Sequence, residues 1–107
     1  MNIPDKWVIL KLITKEETLY KVLAGWSGSY LYGQSWQLNS GIVKVELENN
    51  YYLFHGFSGS IYKCYKNSYG FNNITSEIYE SLKTKTESVD DVEIILLEDQ
   101  DFTLIEY

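Results

Sequence analysis

Apolar and polar residues alternate along several stretches of this chain with the two-residue period of a half-buried strand. Tyr20, Val22, Ala24 and Trp26 share one face of such a strand, and Tyr51, Leu53, His55 and Phe57 share one face of another. Alternation assigns Trp26 and Phe57 to the buried face. Each strand runs into a Ser-Gly-Ser turn, and the two copies form a repeat. Gly25-Trp26-Ser27-Gly28-Ser29 recurs as Gly56-Phe57-Ser58-Gly59-Ser60, with Tyr20, Val22 and Leu23 aligning on Tyr51, Leu53 and Phe54. Upstream of each copy lies another apolar stretch ending in a polar turn, Trp7 to Ile13 before Thr14 to Thr18 and Ile42 to Leu47 before Glu48 to Asn50. The pattern predicts two related hairpins. Two copies are too few to stack as a solenoid, so the repeat points to an antiparallel meander or a small open barrel.

Between the copies, Ser35 to Leu38 reads as a short strand and Asn39-Ser40-Gly41 as a turn that needs positive φ. Ile61 to Tyr65 should pair back as a further strand. All 7 glycines read as turn and bulge positions. Helical spacing of Ile74, Ile78 and Leu82, with Tyr79 beside Ile78, predicts a helix over about 74–86, with Asn73 or Thr75 as its cap and one apolar stripe for packing. Val92 to Leu97 is expected as a buried strand, and Phe102 to Tyr107 as an edge strand after the turn Glu98-Asp99-Gln100-Asp101. The expected fold class is α+β, mainly β, with one packed helix and a C-terminal strand in a single domain spanning 1–107.

Composition narrows the picture. With 107 residues, 45% of them hydrophobic and 22% charged, the chain has material for one core. One cysteine cannot form an intramolecular disulfide, and no stretch has the layout of a secretory signal. The longest apolar runs, Trp7 to Leu10 and Ile94 to Leu97, fall far short of the roughly 20 residues of a membrane helix. A cytoplasmic protein without membrane association is the expectation. All 9 basic residues are Lys. The absence of guanidinium, the group suited to bidentate phosphate and guanine recognition, argues against direct nucleic-acid binding. The net charge of -6 is uneven: residues 1–76 are slightly basic, and residues 77–107 hold ten acids against two lysines. An electrostatic partner should therefore be basic.

Catalytic chemistry finds little to work with. His55 is the sole imidazole and reads as a partly buried, hydrogen-bonded strand residue. Cys64 reads as a buried, unreactive thiol. The two could form a nucleophile and base across adjacent strands, but no orienting third group stands at a recognisable spacing. Neither Ser-Gly-Ser turn has the Gly-x-Ser-x-Gly spacing of a nucleophile elbow. The turns could act as anion nests with Lys63 and Lys66 nearby, or simply as tight turns. One His and one Cys cannot build a zinc site, and the acidic turn lacks the glycine and distal Glu of a calcium loop. No cofactor is expected.

Two features remain. Of the 17 aromatics, 13 lie between Tyr20 and Phe71, and the segment Ser27 to Trp36 sets Tyr30, Tyr32 and Trp36 among Ser, Gly and Gln. That is the composition of a contact surface, since each ring supplies much area for little lost rotamer freedom. Tyr69 and Phe71 form a second, weaker group. The other feature is the acidic C-terminal segment, with Asp90, Asp91, Glu93, Glu98, Asp99, Asp101 and Glu106. It is either a solvated face or a surface that competes for a basic groove, as a nucleic-acid mimic would. The expectation is a non-enzymatic protein-binding module. In its specific form it is an acidic inhibitor, of the phage or mobile-element type, that occupies the basic nucleic-acid-binding surface of a larger machine. A small-ligand or nucleotide-binding domain using the two Ser-Gly-Ser turns is the alternative. A homodimer through the C-terminal edge or the aromatic loops is a further expectation.

Overall fold

A computed structural model describes residues 1–28 and 33–107. Strands β1 (Lys6–Thr14), β2 (Thr18–Trp26) and β3 (Ser35–Leu38) form an antiparallel meander, and β4 (Ile42–Leu47), β5 (Tyr51–Gly56) and β6 (Ile61–Tyr65) form a second. Helix α1 (Asn73–Glu87) and strand β7 (Val92–Leu96) follow. β7 joins the first meander, giving one sheet in the order β3-β2-β1-β7 and another in the order β4-β5-β6. The fold is α+β and mainly β, and the sheets do not close into a barrel. The repeat corresponds to β2 and β5, the middle strands of the two meanders.

Three layers result, because β1 is apolar on both faces. Trp7 and Ile9 point between the sheets and pack with Val22, Ala24, Tyr52, Phe54 and Cys64. Val8 and Leu10 point the other way and pack with Leu23 under Ile78, Tyr79 and Leu82 of α1. A strand covered on both sides reads as a continuous apolar run rather than an alternating one, which is the Trp7 to Leu10 pattern. Trp7 is the hub. Its ring lies 5.5 Å from Phe54, 4.7 Å from Tyr69 and 5.6 Å from Phe102, and its Nε1 donates to the Tyr65 carbonyl at 2.7 Å.

Several expectations need correction. Phe102 does not start an edge strand: residues Phe102–Leu104 form a 3₁₀ turn, and the Phe102 ring is fully buried in the intersheet core. Asp101 caps this turn by accepting from the Thr103 N–H at 3.0 Å. Burying a phenyl ring is worth about 2–3 kcal/mol, a gain that a solvated edge strand does not offer. β7 is half-buried, not buried, because it forms the sheet edge with β1 as its only neighbouring strand. The cap of α1 is Asn72. Its side chain accepts from the Thr75 N–H at 3.0 Å, and the Thr75 hydroxyl accepts from the Asn72 N–H at 3.0 Å. Thr75 is thus the reciprocal partner in a capping box rather than the cap, and Asn73 is the first helical residue. Gly25 occupies neither a turn nor a bulge. It lies inside β2, where a Cβ would come within 2.6 Å of Asn72 and 2.7 Å of Thr75. The glycine lets the helix start sit directly on the sheet.

Trp26 is half-buried, and its Nε1 donates to the Ile3 carbonyl at 2.9 Å. Phe57 reverses the expectation outright, with 82% of its surface exposed. The inward face of β5 is the one that carries Tyr52 and Phe54, so Phe57, which has the parity of Tyr51, Leu53 and His55, continues the outward face.

Candidate functional site

The two nucleophile candidates are held apart by the pleat. On β5, Tyr52 and Phe54 face the core while Leu53 and His55 face outward. Cys64, paired with Tyr52 on β6, is fully buried on the core side. His55 and Cys64 therefore occupy opposite faces and cannot exchange a proton. Burial raises the Cys64 pKa strongly and keeps the thiol protonated. His55 Nε2 lies 2.7 Å from Glu46 Oε2, and Lys44 Nζ lies 3.7 Å from Glu46 Oε1. The hydrogen bond from His55, then the Lys44 charge, hold the Glu46 carboxyl below its ordinary pKa. This is a cross-strand polar ladder on a solvated sheet face. Among the described residues, no group of three or more His, Cys, Asp and Glu could hold a metal ion.

The second Ser-Gly-Ser turn is a poor anion nest, because the N–H groups of Gly56 to Gly59 already have partners. Gly56 donates to the Ser60 carbonyl at 2.8 Å, Phe57 to the Gly41 carbonyl at 2.8 Å, and Gly59 back to the Gly56 carbonyl at 3.0 Å. Ser58 donates to Ser40 Oγ at 3.0 Å. In the first turn, Ser27 donates to the Asp5 carboxylate at 2.8 Å, so an acid already holds the place an anion would take. Lys63 lies over the Tyr51 ring at 4.4 Å and Lys66 over the Tyr52 ring at 5.6 Å.

Of the aromatic contact candidates, Tyr30 and Tyr32 lie outside the described residues. Trp36 is on the edge strand β3 and 42% exposed. Tyr69 belongs to the core. Its hydroxyl donates to the Leu97 carbonyl and accepts from the Ile9 N–H at 3.3 Å, and burial pushes its pKa up to about 12. Phe71 packs on Tyr79 of α1 at 5.3 Å.

The acids flank β7 at both ends. Asp90 and Asp91 occupy the turn from α1, with Asp91 in the left-handed region at φ 66. Glu98, Asp99 and Asp101 follow the strand, separated from the first pair by roughly 15 Å of extended chain. All five are exposed. The hydrogen bonds from Thr103 lower the Asp101 pKa, so this carboxylate has a structural duty as well as a charge.

Phe57, which alternation alone sends inward, is the most exposed large apolar side chain on this surface. It borders a depression of about 260 Å³ lined by Leu19, Gly41, Ile42 and Val43, with Glu17 at the rim and Val43 itself 55% exposed. The available sequence signal was the other parity of β5, where Tyr52 and Phe54 offer the more apolar face. Glu17 belongs to the β1–β2 turn. Lys15 of the same turn borders a second hollow together with Asp91 and Glu93. The register sets Glu93 opposite Ile13, and Ile13 opposite Thr18, across one end of the sheet. An apolar hollow and an acidic rim thus meet at the β1–β2 turn.

Comparison with known proteins finds no matching family model, no matching curated sequence and no matching solved structure. No helix among the described residues is long and apolar enough to cross a membrane.

Proposed function

We propose that this chain is a non-enzymatic protein-binding module whose contact surface centres on Phe57, with carboxylates around the β1–β2 turn and β7 steering it toward a basic partner. The exposure of Phe57 over the hollow of Leu19, Ile42 and Val43 is the observation that carries this reading. An aromatic anchor at the centre of an interface, with charge at its rim, divides affinity from approach. The anchor sets the dissociation rate, and the rim sets the association rate and its salt dependence. The specific form we favour is an inhibitor that covers a nucleic-acid-binding surface of a larger protein, since such a surface is built from Lys and Arg that neutralise phosphates and would attract carboxylates. The separation of Cys64 from His55 is consistent with a binding rather than a catalytic role.

The test is affinity capture from lysate at low and high salt, using the intact chain, Phe57→Ser and an Asp90→Asn/Asp91→Asn/Glu93→Gln variant. The reading expects a basic partner whose capture falls by about tenfold or more with Phe57→Ser, equivalent to about 1.4 kcal/mol. It also expects charge neutralisation to remove the salt dependence. Nucleic acid added in excess should displace the partner. Capture that is indifferent to both variants would reject the proposal.

A further inference from the structure

Beyond Ser40 the surface changes character. A cleft of about 450 Å³ opens between β3 and β6, with Ser40, Ser58 and Ser60 on one side and Gln37 and Tyr62 on the other. Asn2 and Gln37 continue it into a shallower hollow of about 320 Å³ that ends at Trp26 and Trp36. Among the described residues, no charged side chain lines either part, although 22% of the chain is charged and each of the other hollows described is bordered by at least one charged residue.

Asn39 ties the cleft to the fold. It is only 3% exposed, its N–H donates to the Val22 carbonyl at 3.0 Å, and its Oδ1 accepts from the Val22 N–H at 2.8 Å. That second bond fixes which way the amide points. Nδ2 is left without a hydrogen-bond partner among the described residues. It faces the space above Gly56: a Cβ there would lie 3.3 Å from Nδ2, 3.3 Å from Ser40 Oγ and 3.4 Å from the Ser60 carbonyl. Buried donors are rarely left unpaired. On the opposite wall, the Tyr62 hydroxyl donates to Gln37 Oε1 at 3.2 Å, which turns the two Gln37 amide hydrogens outward as donors.

We infer that this cleft is a binding site for a neutral saccharide. A phosphate, carboxylate or ammonium ligand would enter it without a counter-charge, which is unfavourable in a partly desolvated site. A purely apolar ligand would strand the amides and hydroxyls of Asn2, Gln37, Asn39 and the serines. A sugar ring satisfies both conditions. Its hydroxyls donate and accept against amide and hydroxyl groups, while its C–H face lies on the half-buried Trp26 ring, which shares the Gln37 face of the sheet at the shallow end. The site does not depend on the Phe57 hollow, with which it shares only Ser40.

The experiment is heteronuclear NMR titration of the isotope-labelled full chain with glucose, galactose, mannose, N-acetylglucosamine, maltose and cellobiose. Inorganic phosphate, glucuronate and adenosine monophosphate serve as anionic probes. At least one neutral sugar should shift the Trp26 indole and the Asn39 and Gln37 side-chain amide signals. Affinity should fall by about tenfold in Trp26→Ala and also fall in Gln37→Leu, which keeps the side chain's bulk without its amide. Phe57→Ser should leave it unchanged, which separates failure of this inference from failure of the protein-binding reading. Silence across the neutral panel would overturn the inference, and so would shifts at these groups driven equally by the anions. Because the first readout uses the unaltered chain, a variant that fails to fold does not rescue it.

Discussion

Gly25 and Phe57 mark the reach of pattern reasoning at single residues. Alternation correctly places Val22 and Ala24 inside, on a face of β2 that packs between the sheets. It fails on β5 because the face grouped as Tyr51, Leu53, His55 and Phe57 is the outward one, and the face with Tyr52 and Phe54 turns to the core. Gly25 hides its reason altogether: nothing local says that a helix cap from residues 72–75 will rest on that Cα. Gly25→Ala should lower stability by about 1–3 kcal/mol through overpacking, measured by urea denaturation. Trp7→Ala, by contrast, opens the intersheet hub and should cost about 3–5 kcal/mol. Phe57→Ser should change stability by less than about 0.5 kcal/mol, so a binding defect in that variant reports on contact and not on folding. Of the candidate contact residues, Trp36 and the acids were legible as exposed groups. Tyr69 was not, since its destination depends on a hydroxyl reaching the Leu97 carbonyl from a distant loop.

Elements were more legible than their joints. The period of Ile74, Ile78 and Leu82 places α1 within a residue of its observed ends, because one apolar stripe has one solution on a sheet face. The cap was displaced by one position because Asn72 and Asn73 are the same residue type, and only the reciprocal bond with Thr75 separates them. Asn72→Ala should destabilise the protein by about 1–2 kcal/mol, and Asn73→Ala by little, with loss of helical circular dichroism on heating as the readout. The C-terminal segment misled for a different reason. Phe102 to Tyr107 alternates well enough for a strand, yet four core rings, those of Trp7, Tyr52, Phe54 and Tyr69, leave a place that only a further ring fills. Tertiary demand outweighed local propensity.

At the scale of the whole molecule, the repeat and the two-faced apolar run of β1 already contain the layered design, but not which meander receives β7. Layering also sets the alkaline limit of the fold. Burial raises the phenol pKa values of Tyr52, Tyr62, Tyr69 and Tyr107, Tyr69 to about 12, against 10.0 when exposed. A phenol that ionises more readily in the unfolded chain contributes stability that is intact below pH 10 and lost as pH climbs toward the folded values. The protein should therefore unfold cooperatively between about pH 10 and 12, with phenolate absorbance and near-ultraviolet circular dichroism changing together. Independent titration of the tyrosines without loss of structure would contradict this.

The burial of Phe102 against Trp7 also has a temporal side. During synthesis from the N-terminus, both meanders and α1 emerge while the space beside Trp7 is still open, so Tyr52 and Phe54 wait with one flank toward water. The intersheet core closes only when residues near 102 leave the ribosome. A product stopped anywhere before that turn would keep this flank open and should be cut more readily by proteases than the full chain.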